Sequence, residues 1–335
     1  MVLIDIRNML QSMGKDIKNY PLPDIIDMYD DTNGTDREIY EEESIEPTAE
    51  DLALKESLNK EQRVAYDKII AAIDTDQGGV FFVDGPGGTG KTYLYKSLLA
   101  TLRSQDKIAV ATTTSGVAAS IMPGGRTAHS RFKIPLTIDD GAVCSFTKQS
   151  GTAKLLKKAS LLIWDEASMT KRQAVEALDN SLRDIMDRPG LPFGGKTVVF
   201  GGDFRQVLPV VRKGSRAQIV AASLRRSYLW ESMCHLKLVH NMRAQSDPWF
   251  AEYILRVGAG TEEANSDSEI CLPDQVCVPY TGSDSDLDRL IDYIFPKLDE
   301  NMSNTSYITS RAILSTRNDW VDNDPSFPRG ANGLP

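Results

Sequence analysis

Residues Gly85–Thr92, GPGGTGKT, decide how this chain folds. The string fits G-x-x-x-x-G-K-T, and its letters have physical tasks. Gly85, Gly87, Gly88 and Gly90 let backbone N–H groups turn inward and wrap a phosphate chain without Cβ clashes, Pro86 and Thr89 lying within the same wrap. Lys91 would place a cation near the β- and γ-phosphates, and Thr92 would offer a hydroxyl to Mg²⁺. A helix beginning near Lys91 would point its positive end at the phosphates. The flanks fit: apolar Val80–Val83 precedes the loop as a strand, and Leu94, Leu98 and Leu102 follow at helical spacing. An ATP–Mg²⁺ cradle is therefore expected, with a structural glycine-rich turn as the bland alternative.

Outward from the loop, short β-rich runs alternate with helical patterns. Strands are predicted at Gly79–Val83, Ile108–Thr112, Leu161–Trp164, Thr197–Phe200 and Leu236–Val239, with Val175, Leu178, Leu182 and Ile185 marking one of the helices between them. This is the habit of a parallel sheet covered by helices on both faces, an α/β fold. The third run delivers Asp165 and Glu166 at its C-terminal end, where open α/β sheets bind ligands. Asp165 would hold Mg²⁺ directly or through water, and Glu166 would orient and deprotonate an attacking water. A strand followed by an acidic helix start is the alternative. The fourth run leads into GGDFRQVLPV, Gly201–Val210, where Gln206 would report a γ-phosphate or else satisfy a loop backbone. Arg243, closing LVHNMR from Leu238, would stabilise charge on the transferring phosphoryl group unless it is an ordinary surface arginine.

The net charge of −9 hides a division along the chain. Residues 1–57 carry 5 Lys/Arg and 15 Asp/Glu, residues 58–245 carry 27 and 16, and residues 246–335 carry 6 and 16. The basic middle is compatible with a phosphate backbone as partner. Asp24–Asp51 is acidic with little apolar periodicity and reads as a linker or mobile arm. After it come a first domain at 58–245, a second at 246–321 with a strand-like run at Ser310–Ser315, and a Pro/Gly-rich tail at 322–335 expected to be disordered. Four irregularly spaced cysteines do not form a disulfide framework, and no apolar stretch approaches the ~20 residues of a membrane span. The N-terminus lacks a secretory or transit layout, so an intracellular protein is expected.

Taken together, LNKEQ (Leu58–Gln62), the P-loop, TTTSGVAAS (Thr112–Ser120), TAHSRF (Thr127–Phe132), WDEASM, GGDFRQVLPV and NMR resemble, in order, the motifs of Pif-one-like superfamily 1 DNA helicases, closest to the plant and Helitron-transposon branch. The resemblance runs from about Leu58 to Asp319, and Ile4–Pro23 is similar to the segment preceding the motor in that branch. It implies a RecA-like P-loop domain followed by a second, and ATP-driven 5′-to-3′ translocation on single-stranded or forked DNA. Repair, recombination and telomere maintenance, a nuclear location and a monomeric motor go with it. Gln62 matches the adenine-recognising glutamine, and Lys91, Thr92, Asp165, Glu166, Gln206 and Arg243 match the roles above. Thr113, Gly116, Val117, His129, Ser130 and Phe132 fall in motifs that face the DNA strand, although Phe132 is as readily a core residue.

The family continues past Ala312–Asp319 into two further motifs that this sequence lacks. The second RecA-like domain is therefore expected to be incomplete, and a remnant that binds ATP and DNA with weak turnover and no unwinding is the alternative function. A small-molecule kinase or clamp-type ATPase would need neither GGDFRQ nor NMR. The charge distribution further suggests that the acidic flanks compete with DNA, so that deleting residues 1–57 would tighten binding at low salt.

Overall fold

The computed structural model describes residues 37–264, 269–283 and 285–314. The expectations for Ile4–Pro23, for the start of the acidic segment and for the tail at 322–335 lie outside them. The chain divides into two compact units, Met1–Thr261 and Glu262–Pro335.

The described part of the first unit begins with α1 (Arg37–Glu43), α2 (Ala49–Ala53) and α3 (Lys60–Asp74). Then come β1 (Gly79–Asp84), α4 (Lys91–Arg103), β2 (Ala109–Thr113), α5 (Gly116–Ile121), β3 (Arg126–Thr127), α6 (Ala128–Arg131) and α7 (Gly151–Lys158). After these follow β4 (Leu161–Asp165), α8 (Arg172–Ile185), β5 (Thr197–Gly202), α9 (Arg216–Ala222), β6 (Cys234–Lys237) and α10 (Pro248–Ala259). The six strands form one sheet in the order β3-β2-β4-β5-β1-β6, and every pairing is parallel.

Period-two alternation sorts the strand side chains onto two buried faces. Phe81, Val83, Ala111, Ile163 and Val199 pack with Tyr66 and Ile69 of α3 and Leu94, Leu98 and Leu102 of α4. Phe82, Val110, Leu162, Trp164, Val198 and Phe200 pack with Leu155 of α7 and Val175, Leu178 and Leu182 of α8. A sheet buried on both sides needs near-continuous apolar strands, which is why these runs read as they do. The α/β expectation holds with shifted ends: β4 extends through Asp165, β5 through Gly202, and the last strand is Cys234–Lys237 rather than Leu236–Val239.

The described part of the acidic N-terminal segment corrects the linker reading. Glu42 is 3% exposed and sits between Arg131, to which it is hydrogen-bonded, and Arg103 at 3.4 Å. Burial pushes the Glu42 carboxyl upward and the two guanidinium groups oppose it. Around this centre Glu41 pairs with Arg126 at 2.5 Å, Glu43 with Lys158 at 2.5 Å, and Glu38 accepts from Thr152 at 3.0 Å. Helix α1 is thus held to α4, α6 and α7 largely by charge, a mode that leaves little apolar periodicity to read.

Among its described residues the second unit carries a 3-10 turn at Asp274–Val276 and the helices α11 (Ser285–Ile294), α12 (Leu298–Asn301) and α13 (Thr305–Thr309). Residues 310–314 carry no strand, and Ser315 lies outside the described residues. Leu314 of that run is 91% exposed.

All four cysteines are free, and they differ in reach. Cys144 is buried and its thiol is pushed up to about 11 by burial, whereas Cys234 and Cys271 are exposed. At pH 8 a thiol reagent is expected to label Cys234 and Cys271 rapidly and Cys144 only after denaturation; a timed titration with and without guanidinium reads the difference.

Candidate nucleotide site

The P-loop leaves the C-terminal end of β1, which lies between β5 and β6, and enters α4 at Lys91. Gly90, the N-cap residue, has φ of 79° and makes no side-chain cap, so the first-turn N–H groups of α4 are left for an anion. At Gly88 φ is 91°, and a Cβ there would stand 2.6 Å from the Asn241 side-chain oxygen. Gly87 differs from the other loop glycines: a Cβ at that position would meet nothing within 4 Å. Lys91 is 7% exposed and donates from Nζ to the Gly85 carbonyl at 2.7 Å, bent back over its own loop.

One cleft of about 1010 Å³ brings together Gly87, Gly88, Gly90, Lys91, Thr92, Asp165, Glu166, Gln206 and Arg243, residues read from four separate stretches of sequence. Asp165, at the end of β4, is 5% exposed and accepts the Glu166 N–H at 2.9 Å. Burial pushes its carboxyl up, against the pull of Lys91. Glu166 has φ of 55°, and its carboxyl is pushed up by burial and by the Asp165 charge. Its Oε2 is buried without a hydrogen-bond partner, as are the Tyr95 hydroxyl and Thr113 Oγ1. Unsatisfied buried polar atoms beside a phosphate loop fit a site built to be completed by a ligand.

The run after β6 is tied to the loop by backbone. Glu61 accepts the N–H groups of Val239 at 2.7 Å and His240 at 3.2 Å. The N–H groups of Met242 and Arg243 reach the Gly88 carbonyl at 2.8 and 3.2 Å, and Asn241 Oδ1 accepts from Arg243 and Ala244. Arg243 is thereby held at the rim of the cleft. The chemistry available is that of phosphoryl transfer: an anion-binding helix end, a buried lysine, two carboxylates and a positioned arginine.

A model of the PIF1-like helicase family matches residues 57–268. The chain belongs to this family. It is similar to the ATP-dependent DNA helicase PIF4 of Trypanosoma brucei brucei, 33% identical over 156 residues that cover 45% of this chain and 18% of that protein. It is also similar to the ATP-dependent DNA helicase PIF1 of Danio rerio, 30% identical over 219 residues, covering 64% of this chain and 32% of that one. The chain therefore spans about a third or less of these relatives. Among solved structures, one described as the structural basis for DNA unwinding at forked double-stranded DNA by two coordinating Pif1 helicases aligns with TM-score 0.50 and 28% identity. It covers 63% of this chain and 50% of that one.

Against the PIF1-like pattern, several residues are not where their motifs suggest. Gln62 is 2% exposed and lies behind the P-loop: its Oε1 accepts the Asn59 N–H at 3.0 Å and its Nε2 donates to the Thr89 carbonyl at 3.1 Å. As placed, it caps α3 and braces the loop. Phe132 is fully buried, packed on Trp164 with ring centroids 5.7 Å apart, which corrects its DNA-facing role to a core one. Thr113 is likewise fully buried in β2. Gly116, Val117 and Ser130 are exposed, Val117 at 81%, and His129 is half-buried with its imidazole pushed down by burial. Sequence reasoning passed over Asp203, Arg205 and Asn241, which also line the cleft. Asp203 Oδ1 holds Arg205 Nε at 2.8 Å. Both lie inside GGDFRQ, where attention to Gln206 hid them.

Proposed function

We propose that this PIF1-like chain is the first motor domain of an ATP-driven DNA helicase, in which ATP hydrolysis drives 5′-to-3′ translocation on single-stranded DNA and opening of forked duplexes. The observation that carries the reading is the convergence of Lys91, Thr92, Asp165, Glu166, Gln206 and Arg243 on one cleft at the C-terminal edge of the sheet.

In that cleft the α4 N-terminus and Lys91 bind and orient the phosphates, with Lys91 exchanging its Gly85 contact for them. Glu166 takes the proton of the attacking water, and Arg243 meets charge growing on the phosphoryl group. The donor set offered by Thr92 and Asp165 is all oxygen, which suits Mg²⁺ held by one or two side chains and the substrate's own phosphates. A divalent ion held by Thr92 and Asp165 would supply charge neutralisation at the phosphates. Exposed Val117, Gly116 and Ser130 would face the DNA strand. The plant and Helitron branch, a nuclear location, monomeric action and roles in repair, recombination and telomere maintenance complete the proposal on the strength of the motif resemblance.

Duplexes carrying a single 5′ or a single 3′ tail test the direction. Unwinding confined to the 5′-tailed substrate is expected. Equal or reversed preference would refute the polarity, and ATP binding without unwinding of either would favour a binding remnant.

A further inference from the structure

Residues 204–230 contain no aspartate or glutamate and six cations: Arg205, Arg212, Lys213, Arg216, Arg225 and Arg226. Arg205 is occupied by Asp203. The other five are exposed, and none has an ion-pair partner among the described residues. Elsewhere in the unit Arg103, Arg126, Arg131, Arg172 and Arg183 each hold a carboxylate, while Arg63, Arg188 and Arg243, without an ion-pair partner among the described residues, lie scattered along the sequence. Five unneutralised cations on one short stretch repel one another, a cost removed when an extended anion lies across them.

Three of the five, Arg216, Arg225 and Arg226, line a pair of adjoining grooves at α9. One is lined by Arg216, Val220, Arg226 and Tyr228, the other by Val220, Arg225, Arg226 and Trp230, so Val220 and Arg226 are shared. The Arg225 guanidinium lies 5.5 Å over Phe204 and 5.9 Å over Trp230, which fixes its direction. Tyr228 is 58% exposed and Val220 38% exposed beside these charges. Cations spaced along a groove with an exposed aromatic ring at its side suit a flexible phosphate chain whose bases can stack.

We infer that the α9 surface binds the backbone of single-stranded nucleic acid, as a contact separate from the 113–132 segment. The separation follows from the fold: α9 follows β5, while 113–132 runs from β2 to β3, and β4 lies between β5 and β2 in the sheet. The inference rests on the DNA-motor reading and adds a second track to it, one that holds the strand independently of sequence.

The test is fluorescence anisotropy with a labelled oligo-thymidine at salt concentrations from ~50 to ~200 mM, where each phosphate contact to a single strand contributes roughly 0.7 to the salt slope. The double variant Arg216→Gln/Arg226→Gln, and the triple variant with Arg225→Gln added, are compared with the unaltered chain. The triple variant is expected to lose about 2 from the slope and to bind more than tenfold more weakly at the lowest salt, with the double variant intermediate. Thermal midpoints and affinity for a fluorescent ATP analogue are expected to stay unchanged. Folded variants with the original slope and affinity would overturn the α9 surface while leaving the motor reading intact. A parent chain that binds no DNA at any salt would overturn both.

Discussion

Lys91→Ala is expected to lower ATP turnover by at least a hundredfold. The ammonium group is buried at the mouth of the loop, with its nearest acceptor the Gly85 carbonyl at 2.7 Å, and the negative charge of Asp165 is close enough to be pulled by it. A donor preorganised where charge develops in a water-poor site is worth about 10²–10³ in rate. Removing it also takes away attraction in the ground state, so nucleotide affinity falls as well. The fold suffers little, because the deletion costs one neutral acceptor its partner, on the order of 1 kcal/mol. Steady-state turnover, a fluorescent-nucleotide titration and a thermal melt separate these effects. Turnover within threefold of the parent would remove Lys91 from the mechanism.

Glu42→Ala should produce the largest loss of stability of any single surface-helix change. Glu42, Arg103 and Arg131 have side chains 1%, 4% and 2% exposed, so their charges depend on one another rather than on water. Taking out the carboxylate leaves two buried guanidinium charges without their counter-charge, Arg103 keeping only the Pro123 and Ala109 carbonyls, and removing one partner of a buried pair costs about 3–5 kcal/mol. At roughly 2–4 °C per kcal/mol for a unit of this size, the thermal midpoint should fall by roughly 6–20 °C. The matched control is Glu43→Gln, whose partner Lys158 and own side chain are 55% and 45% exposed. An exposed pair of that kind is worth about 1 kcal/mol or less. Equal shifts for the two substitutions would show that α1 is not docked as described. The same contacts alter the expected result of deleting residues 1–57: the cut removes Glu42, so destabilisation is expected where freer DNA binding was anticipated.

What could be read from sequence, and what could not, follows from how each feature is encoded. The strands and the P-loop were legible because a sheet buried on both faces demands continuous apolar runs, and because a phosphate cradle demands glycines at fixed offsets. Asp165 and Glu166 were legible because they end such a run. The docking of α1 was not, since its partners Arg103 and Arg131 lie 61 and 89 residues away from Glu42 and ion pairs leave no periodicity. Gln62 and Phe132 show a different limit. Their motif names a neighbourhood, whereas the direction of each side chain is set by packing: Gln62 turns inward because Asn59, Thr89 and Gly90 offer its amide partners, and Phe132 because Trp164 lies beneath it. Asn241 shows the converse, a residue in a noticed motif whose work, holding Arg243 and Ala244 by their N–H groups, emerges only in three dimensions.

The most direct measurement is the rate of ATP hydrolysis with and without saturating single-stranded DNA, in the parent chain and in Lys91→Ala. A DNA-driven motor site predicts turnover that rises at least tenfold with DNA and collapses in the variant in both conditions. Turnover that is indifferent to DNA, or that persists after Lys91 is removed, would contradict the assignment of this cleft as the engine of a DNA helicase.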